Sequence, residues 1–369
     1  MIYLDNSSTT LPDLSMINAV MEEARIYYGN PSSPHFLGQI SKDFLGQSRE
    51  QVASLLGAQP HQIIFTSGGT EANALALHDK TVWASEIEHK SVLKFATTTL
   101  KVTAQGFLNI DALEQLLINT SKPICISVML ANNETGIKLD PFNKLLILKQ
   151  KYNFLLHIDA TQAVGKVPID VDILGADLLT LSGHKFHAFK GIGALYFRNH
   201  DLVKPLNNIN AEYNSAHEFG LRPGTENYLG IASLGHMAQK LLVDKFYLNR
   251  IAQIGVLRNE LEQKLSDIVE INGDLQHRLP HISSLSIIGI NDIELFIEAL
   301  SEAGVCVSGQ SACSSGLSLP SYTLAAMFGA DSPRLKNTLR VSLSVNTTAK
   351  EIDEACKIIR AVRAQQIGD

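Results

Sequence analysis

Cysteine is scarce in this chain, with four in 369 residues, and there is one tryptophan and no excess of positive charge. Cys125, Cys306, Cys313 and Cys356 are too sparse for a disulfide framework, and no C-x-x-C pair or His/Cys cluster has metal-site spacing. Each is read as a free thiol. Lys and Arg number 31 against 37 Asp and Glu, a formal charge of -6, which offers no basic face to nucleic acid. No apolar run is long enough to cross a bilayer, and the opening "MIYLDNSSTT" has neither the basic cluster nor the apolar stretch of a secretory leader. A cytoplasmic protein with small-molecule or protein partners, bound to neither membrane nor nucleic acid, is expected. Repeats, low-complexity tracts and charge blocks are also lacking.

What is present is a 45% hydrophobic composition that suits a sizeable core, divided over one large and one smaller domain. From about residue 60, "QIIFTS", "TVWAS", "LKVTA", "PICISVML", "FLLHID", "LLTLSG" and "GALYFR" alternate with helix-like runs, an α/β pattern. These strands are apolar throughout, as in a sheet covered on both faces. Beyond about residue 240 come longer helical runs, "RIAQIGVLRNELEQKLSDI" and "DIELFIEALSEAG", around the strand candidates "ISSLSII" and "TLRVSLSV". The last helix opens with a capping box, Thr348 followed by Glu351.

Three local patterns carry chemistry. "QIIFTSGGTEANALAL" predicts a strand, a turn at Gly68 and Gly69, and a helix opening near Thr70; backbone N–H groups at such a helix start suit a phosphate, although a plain β-to-α turn has the same form. "FLLHIDATQAVG" sets Asp159 at a strand end with Gln162 three residues on, either a helix cap or a buried acid seeking a cation. "LSGHKFHAFKGIGALYFR" places Lys185 between two buried strands, where a lysine either snorkels outward or is kept inside as an amine for Schiff-base chemistry. As a set they are the parts that pyridoxal phosphate needs: a phosphate cradle, an acid for the ring nitrogen and an amine for the aldehyde.

The stretches "IYLDNSSTT", "GNPSSPH", "FTSGGTEANALAL", "EHKSVLK", "NNETG", "DATQAVGK", "SGHK", "LRPGT", "SGQSACSSG" and "LRVSLS" occur in this order. In them the chain resembles, nearly end to end, the cysteine desulfurases of the class V aminotransferase superfamily. The resemblance implies the fold of type I pyridoxal-phosphate transferases. A large domain over 14-240 would carry a mixed, mostly parallel seven-stranded sheet covered by helices, and a smaller α+β domain would combine 1-13 with 241-369. It further implies that Lys185 carries pyridoxal 5'-phosphate as an internal aldimine, Asp159 pairs with the ring nitrogen, and Gln162 bonds the ring phenolate. Gly69, Thr70, Ser182 and His184 would hold the phosphate, with Thr225 contributed by the partner subunit of a homodimer. His89 would stack on the ring and move protons, Asn133 would lie beside cofactor and substrate, and Arg340 would take the carboxylate of L-cysteine. Without the resemblance, His89 reads as a surface histidine at a helix start, Asn133 as a turn residue and Arg340 as an edge-strand arginine.

Cys313 lies in "SGQSACSSG", a Gly/Ser run with little to pack, so a mobile, exposed loop is expected. The resemblance makes it the catalytic nucleophile, which takes sulfur from L-cysteine, leaves L-alanine and keeps a persulfide for an acceptor protein. Cys125 and Cys306 are expected to be buried small hydrophobes, and Cys356 to face the packed side of the last helix. "SSGLSLPSYTLAAMF" resembles the longer loop of the group I branch, which serves iron–sulfur cluster assembly and tRNA thiolation. Two segments depart from the family: Ala188 and Phe189 replace a glycine-proline, and Asn214, Ser215 and Ala216 replace a glycine run. Rival assignments are a selenocysteine lyase, an ordinary class V aminotransferase, and a cofactor-binding scaffold paralogue of low activity.

Overall fold

A computed structural model describes residues 1–120, 123–139, 141–206, 217–309 and 320–368. In chain order its strands are β1 (Ile2–Tyr3), β2 (Ile63–Thr66), β3 (Val82–Ser85), β4 (Ala96–Leu100), β5 (Cys125–Met129), β6 (Leu155–Asp159), β7 (Leu178–Ser182), β8 (Gly193–Phe197), β9 (Val269–Ile271), β10 (Ile282–Ile287), β11 (Val305–Cys306), β12 (Ser308–Gly309) and β13 (Thr338–Ser342). The helices are α1 (Leu14–Glu23), α2 (Phe36–Leu56), α3 (Gly69–Leu77), α4 (Lys90–Leu93), α5 (Ile110–Ile118), α6 (Phe142–Tyr152), α7 (Tyr228–Val243), α8 (Lys245–Leu265), α9 (Ile293–Glu302), α10 (Tyr322–Phe328), α11 (Arg334–Asn337) and α12 (Ala349–Ile367).

Seven strands form the main sheet in the order β2-β8-β7-β6-β5-β3-β4. Only β8 runs against the rest, pairing antiparallel with both β2 and β7. Successive side chains alternate between faces: Leu179 and Leu181 join one core with Val52 of α2 and Leu234 of α7, while Leu178 joins another with Ala72 and Leu75 of α3. Both faces are therefore covered, which is why these strands are apolar throughout. The parallel strands direct their carboxyl ends to one edge of the sheet, where the turns after β2, β3, β5, β6 and β7 meet.

The four-stranded sheet β12-β13-β10-β9 is antiparallel. Its core combines Leu285, Leu339 and Val341 with Phe296 of α9 and Ile359 of α12, and the same cluster takes in Ile2 and Leu4. β1 pairs in parallel with β11, so the chain start is held by residues some three hundred positions away, Ile2 opposite Val305. From there residues 5–10 cross to the carboxyl edge of the main sheet, with Thr10 N–H donating to the His184 carbonyl over 2.9 Å.

Two details correct the sequence-based expectations. The strand expected at "LKVTA" lies earlier, at Ala96–Leu100, and Val102 makes only an isolated bridge to Leu108. Cys306 is only part-buried, whereas Cys125 and Cys356 are buried as expected. The Thr348–Glu351 capping box is present at the start of α12.

Candidate active site

A cavity of about 720 Å³ opens at the carboxyl edge of the main sheet. It gathers Gly69, Thr70, His89, Asn133, Asp159, Gln162, Ser182, His184, Lys185 and Arg340 from separate segments. Thr225 is exposed and is not part of its wall. Cys313 lies outside the described residues, as do Asn214, Ser215 and Ala216.

At one end, β2 runs through Gly68 into α3. Gly68 caps the helix with no side-chain acceptor, so the first N–H groups of α3 are left for a ligand. The turn is pressed against β8: a Cβ on Gly193 would sit 2.8 Å from the Gly68 Cα. Glu71 clamps the turn, accepting from Ser67 N–H over 2.6 Å and from Arg222 Nε over 2.8 Å. Ser182, at the end of β7, lies beside Gly68 and Gly69, and His184 lines the same cavity with its Nδ1 3.1 Å from Thr9 Oγ1. Burial first, then the Lys185 and Lys190 ammonium groups, push His184 down to about 4, so it is neutral near pH 7.

Asp159 ends β6 and is buried. Its Oδ1 accepts from Thr161 N–H and its Oδ2 from Asn73 Nδ2, each over 2.9 Å. Gln162 shares the wall and donates from Nε2 to the Ser7 carbonyl over 2.9 Å. Lys185 ends a single 3-10 turn after β7 and donates to the carbonyls of Ser7 and Ser8 over 2.7 and 2.8 Å. Behind it Lys166 donates to the Lys185 carbonyl over 3.1 Å; burial, then the Lys185 charge, push Lys166 down to about 8.

Arg340 is placed centrally in its sheet by β13, between Ser284 of β10 and Ser308 of β12, and not at an edge. Its Nη1 donates to the Asn133 carbonyl over 3.0 Å, and Nη2 reaches Ser8 Oγ, Ser308 Oγ and Asp5 Oδ1 at 2.6, 2.7 and 3.1 Å. In the same turn, burial pushes Glu134 up to about 7, and it accepts from Ser321 Oγ over 2.5 Å. Glu88, enclosed beside Asp159, is raised well above the carboxylate range by burial, then by the Asp159 charge.

At the first departure from the family pattern, Ala188 is fully buried without left-handed backbone; its neighbour His187, with φ 71°, takes that conformation. Phe189, where a proline would have no N–H, donates to Ser233 Oγ over 3.3 Å. The substitution is thus absorbed behind the cavity wall.

Sequence reasoning passed over Asp5, Ser7, Ser8 and Asn73. The first three stand in "LDNSSTT", whose place in the site depends on a crossing from the other sheet. Asn73 lies three positions after Thr70 in α3, a helical spacing that could have flagged it.

Residues 2–355 match the model of the family described as Aminotransferase class-V. The chain belongs to the class-V aminotransferase family. A cysteine desulfurase of Nostoc sp. is 37% identical over 97% of this chain and 92% of its own. The cysteine desulfurase NifS of Azotobacter vinelandii is 35% identical over 99% and 93%. A solved NifS-like protein superposes with a TM-score of 0.85 at 29% identity, covering 98% of both chains. Class-V enzymes depend on pyridoxal 5'-phosphate, and the seven-stranded sheet is that of fold type I.

The cavity suits that cofactor. Its volume is in the range of small-molecule sites, and Asn73 Oδ1, Asn133 Oδ1, Thr161 Oγ1 and Arg340 Nε are buried on residues of its wall with no hydrogen-bond partner among the described residues. Unpaired polar atoms of this kind are costly unless a polar ligand meets them.

Proposed function

We propose that the protein is a cysteine desulfurase that takes sulfur from L-cysteine, releases L-alanine and holds the sulfur as a persulfide on Cys313. The observation that carries this is the meeting, in one cavity, of the Lys185 amine, the Asp159 carboxylate and the open start of α3. Lys185 would bear the cofactor, and Asp159 would keep its ring nitrogen protonated. Gln162 would face the ring oxygen and His89 stack on the ring. Gly69, Thr70, Ser182 and His184 would hold the phosphate. Bound there, pyridoxal phosphate supplies an electron sink for charge that develops beside the substrate nitrogen.

The remaining steps belong to the chain. Arg340 and Asn133 orient the substrate through its carboxylate. The Lys185 Nζ would take the proton from the substrate α-carbon and later return one. The Cys313 thiolate attacks the substrate sulfur; the new S–S bond forms as the C–S bond breaks, its electron pair stays with carbon, and protonation there gives alanine. An acceptor protein or a reductant then removes the persulfide sulfur, with iron–sulfur cluster assembly and tRNA thiolation as the destinations suggested by the group I-like loop.

We read the working unit as a cytoplasmic homodimer in which Thr225 of the partner subunit completes the phosphate site; the exposure of Thr225 in a single chain supports this. We also divide the chain into a large unit, 14-240, and a smaller one, 1-13 with 241-369. Among the described residues no helix is long and apolar enough to cross a membrane.

Incubation with pyridoxal phosphate, L-cysteine and a reductant is expected to yield alanine and sulfide, and mass spectrometry one extra sulfur on the Cys313 peptide. Lys185→Ala should lose the bound chromophore and about 10³-fold or more in rate. Cys313→Ser should keep the chromophore and lose turnover. Full sulfide release by Cys313→Ser would take that thiol out of the reaction, and a requirement for a keto acid would indicate a transaminase.

A further inference from the structure

His89 is the N-cap of α4, and its Nδ1 accepts the backbone N–H of Ser91 over 3.2 Å. The same Nδ1 lies 2.8 Å from Ser91 Oγ. Asn73 gives one amide hydrogen to Ser91 Oγ and the other to Asp159 Oδ2, both over 2.9 Å. A continuous run of side chains therefore joins the His89 ring to Asp159, beginning and ending on walls of the same cavity.

The direction of every bond in this run can be worked out. An ionised Asp159 only accepts, so it must face the NH₂ of Asn73, and the second hydrogen of that NH₂ goes to Ser91 Oγ. The Ser91 hydroxyl hydrogen is then left to point at His89 Nδ1. A backbone N–H only donates, so Nδ1 receives hydrogens from Ser91 N and from the Ser91 hydroxyl, and each of the two opposes a proton of its own. The neutral imidazole therefore favours its proton on Nε2, which has no protein partner among the described residues.

We propose that Ser91 and Asn73 are positioning residues that lock His89 as the Nε2–H tautomer, so that it meets the reaction as a hydrogen-bond donor and leaves proton abstraction to Lys185. To accept a proton at Nε2, the ring would first have to move its own to Nδ1, against a fixed N–H and a hydroxyl held by Asn73. This rests on the pyridoxal-phosphate assignment of the cavity for its catalytic meaning, but the lock itself is a property of the chain alone.

The test is two-bond ¹H–¹⁵N imidazole correlation on full-length ¹⁵N-histidine protein, with and without pyridoxal phosphate, at a pH where imidazole is neutral. His89→Gln assigns the signal. The wild type is expected to show the Nε2–H form in large excess. Ser91→Ala, which removes one of the two donors, should shift the tautomer ratio by about fivefold toward Nδ1–H, the worth of one net hydrogen bond. Asn73→Ala should shift it less, by releasing the Ser91 rotor, and Ser91→Thr should restore it. A wild type that is mostly Nδ1–H, or an unchanged ratio in folded Ser91→Ala, overturns the proposal. Cofactor uptake is read separately from absorbance, so a locked His89 in a protein that binds no pyridoxal phosphate supports the lock and removes only the functional assignment.

Discussion

The Asp5 carboxylate lies 3.1 Å from the guanidinium of Arg340, a residue that lines the cavity proposed for the substrate. Arg340 is almost wholly buried, and Asp5 is the carboxylate nearest it on the crossing segment; Ser8 and Ser308 donate to the same Asp5 oxygen over 2.9 and 2.7 Å. The arginine is thus both aimed and partly neutralised by its own chain. A substrate carboxylate that binds Arg340 has to do so beside a like charge.

Asp5→Asn keeps an oxygen for the serine hydroxyls and removes that charge. KM for L-cysteine is expected to fall about fivefold, on the order of 1 kcal/mol of repulsion in a partly solvated site, with kcat changing less. Thermal stability should drop in the same variant, because a buried arginine loses its counter-charge. A KM that rises in the folded variant would mean that Asp5 presents Arg340 to the substrate instead of competing with it.

Glu134 sets one pH dependence of stability. Its folded value of about 7 exceeds that of an unfolded glutamate, so the folded state retains a proton that the unfolded chain gives up. Stability is full at low pH and is lost as pH rises from about 4.5 to 7. Glu134→Gln keeps an acceptor for Ser321 and cannot ionise. Denaturant melts at pH 5 and pH 8 should show the variant gaining about 3 kcal/mol on the wild type across this window. A gap that stays constant would refute the assignment.

His157 acts in the opposite sense. It lies fully buried in β6 between Ser127 Oγ, 2.7 Å from Nδ1, and Thr180 Oγ1, 3.1 Å from Nε2. Burial holds it well below the imidazole range, although the Asp159 charge pulls the other way. The unfolded chain takes up a proton below about pH 6.5 that the folded state refuses, so stability falls with pH through that region. His157→Gln should cost stability near neutrality, and the cost should shrink on acidification by at least about 1.4 kcal/mol, one unit of displaced titration. Parallel stability curves for the two proteins from pH 7 to pH 4 would sink this prediction.

Gly193 supports the Gly68 turn, the proposed phosphate end of the cavity. An added Cβ would lie 2.7 Å from the Leu181 carbonyl oxygen and 2.8 Å from the Gly68 backbone, neither of which can rotate away. Gly193→Ala is expected to displace the Gly68 turn and weaken pyridoxal phosphate about tenfold, while pyridoxal, which lacks the phosphate, loses little. Equal losses for both ligands would place the damage elsewhere in the pocket.

The strand ends that carry Asp159 and Lys185, the glycine turn before Thr70 and the cap of α12 were legible because each is a local pattern: an apolar run, a breaker, and a polar residue just beyond it. Ser182, His184, Gln162 and His89 followed from the family resemblance, whose motifs lie on segments that the fold brings into one cavity. The position of β4 was misjudged because "ATTTL" is only half-buried and lacks the apolar character of its neighbours. Cys306 was misjudged because its strand, only two residues long, lies beside exposed Tyr3.

The order of residues by itself determined an α/β chain with a lysine, an aspartate and a glycine turn at strand ends, because backbone propensity and apolar periodicity act over a few residues. Tertiary structure alone decided that Asp5, Ser7 and Ser8 cross between the sheets to meet Arg340 of one and Gln162 and Lys185 at the edge of the other, and that Asn73 and Ser91 join His89 to Asp159. Those contacts span up to 335 positions. They arise from the packing of two sheets, and no spacing along the chain encodes which distant carbonyl or hydroxyl will face a buried charge once those sheets have closed.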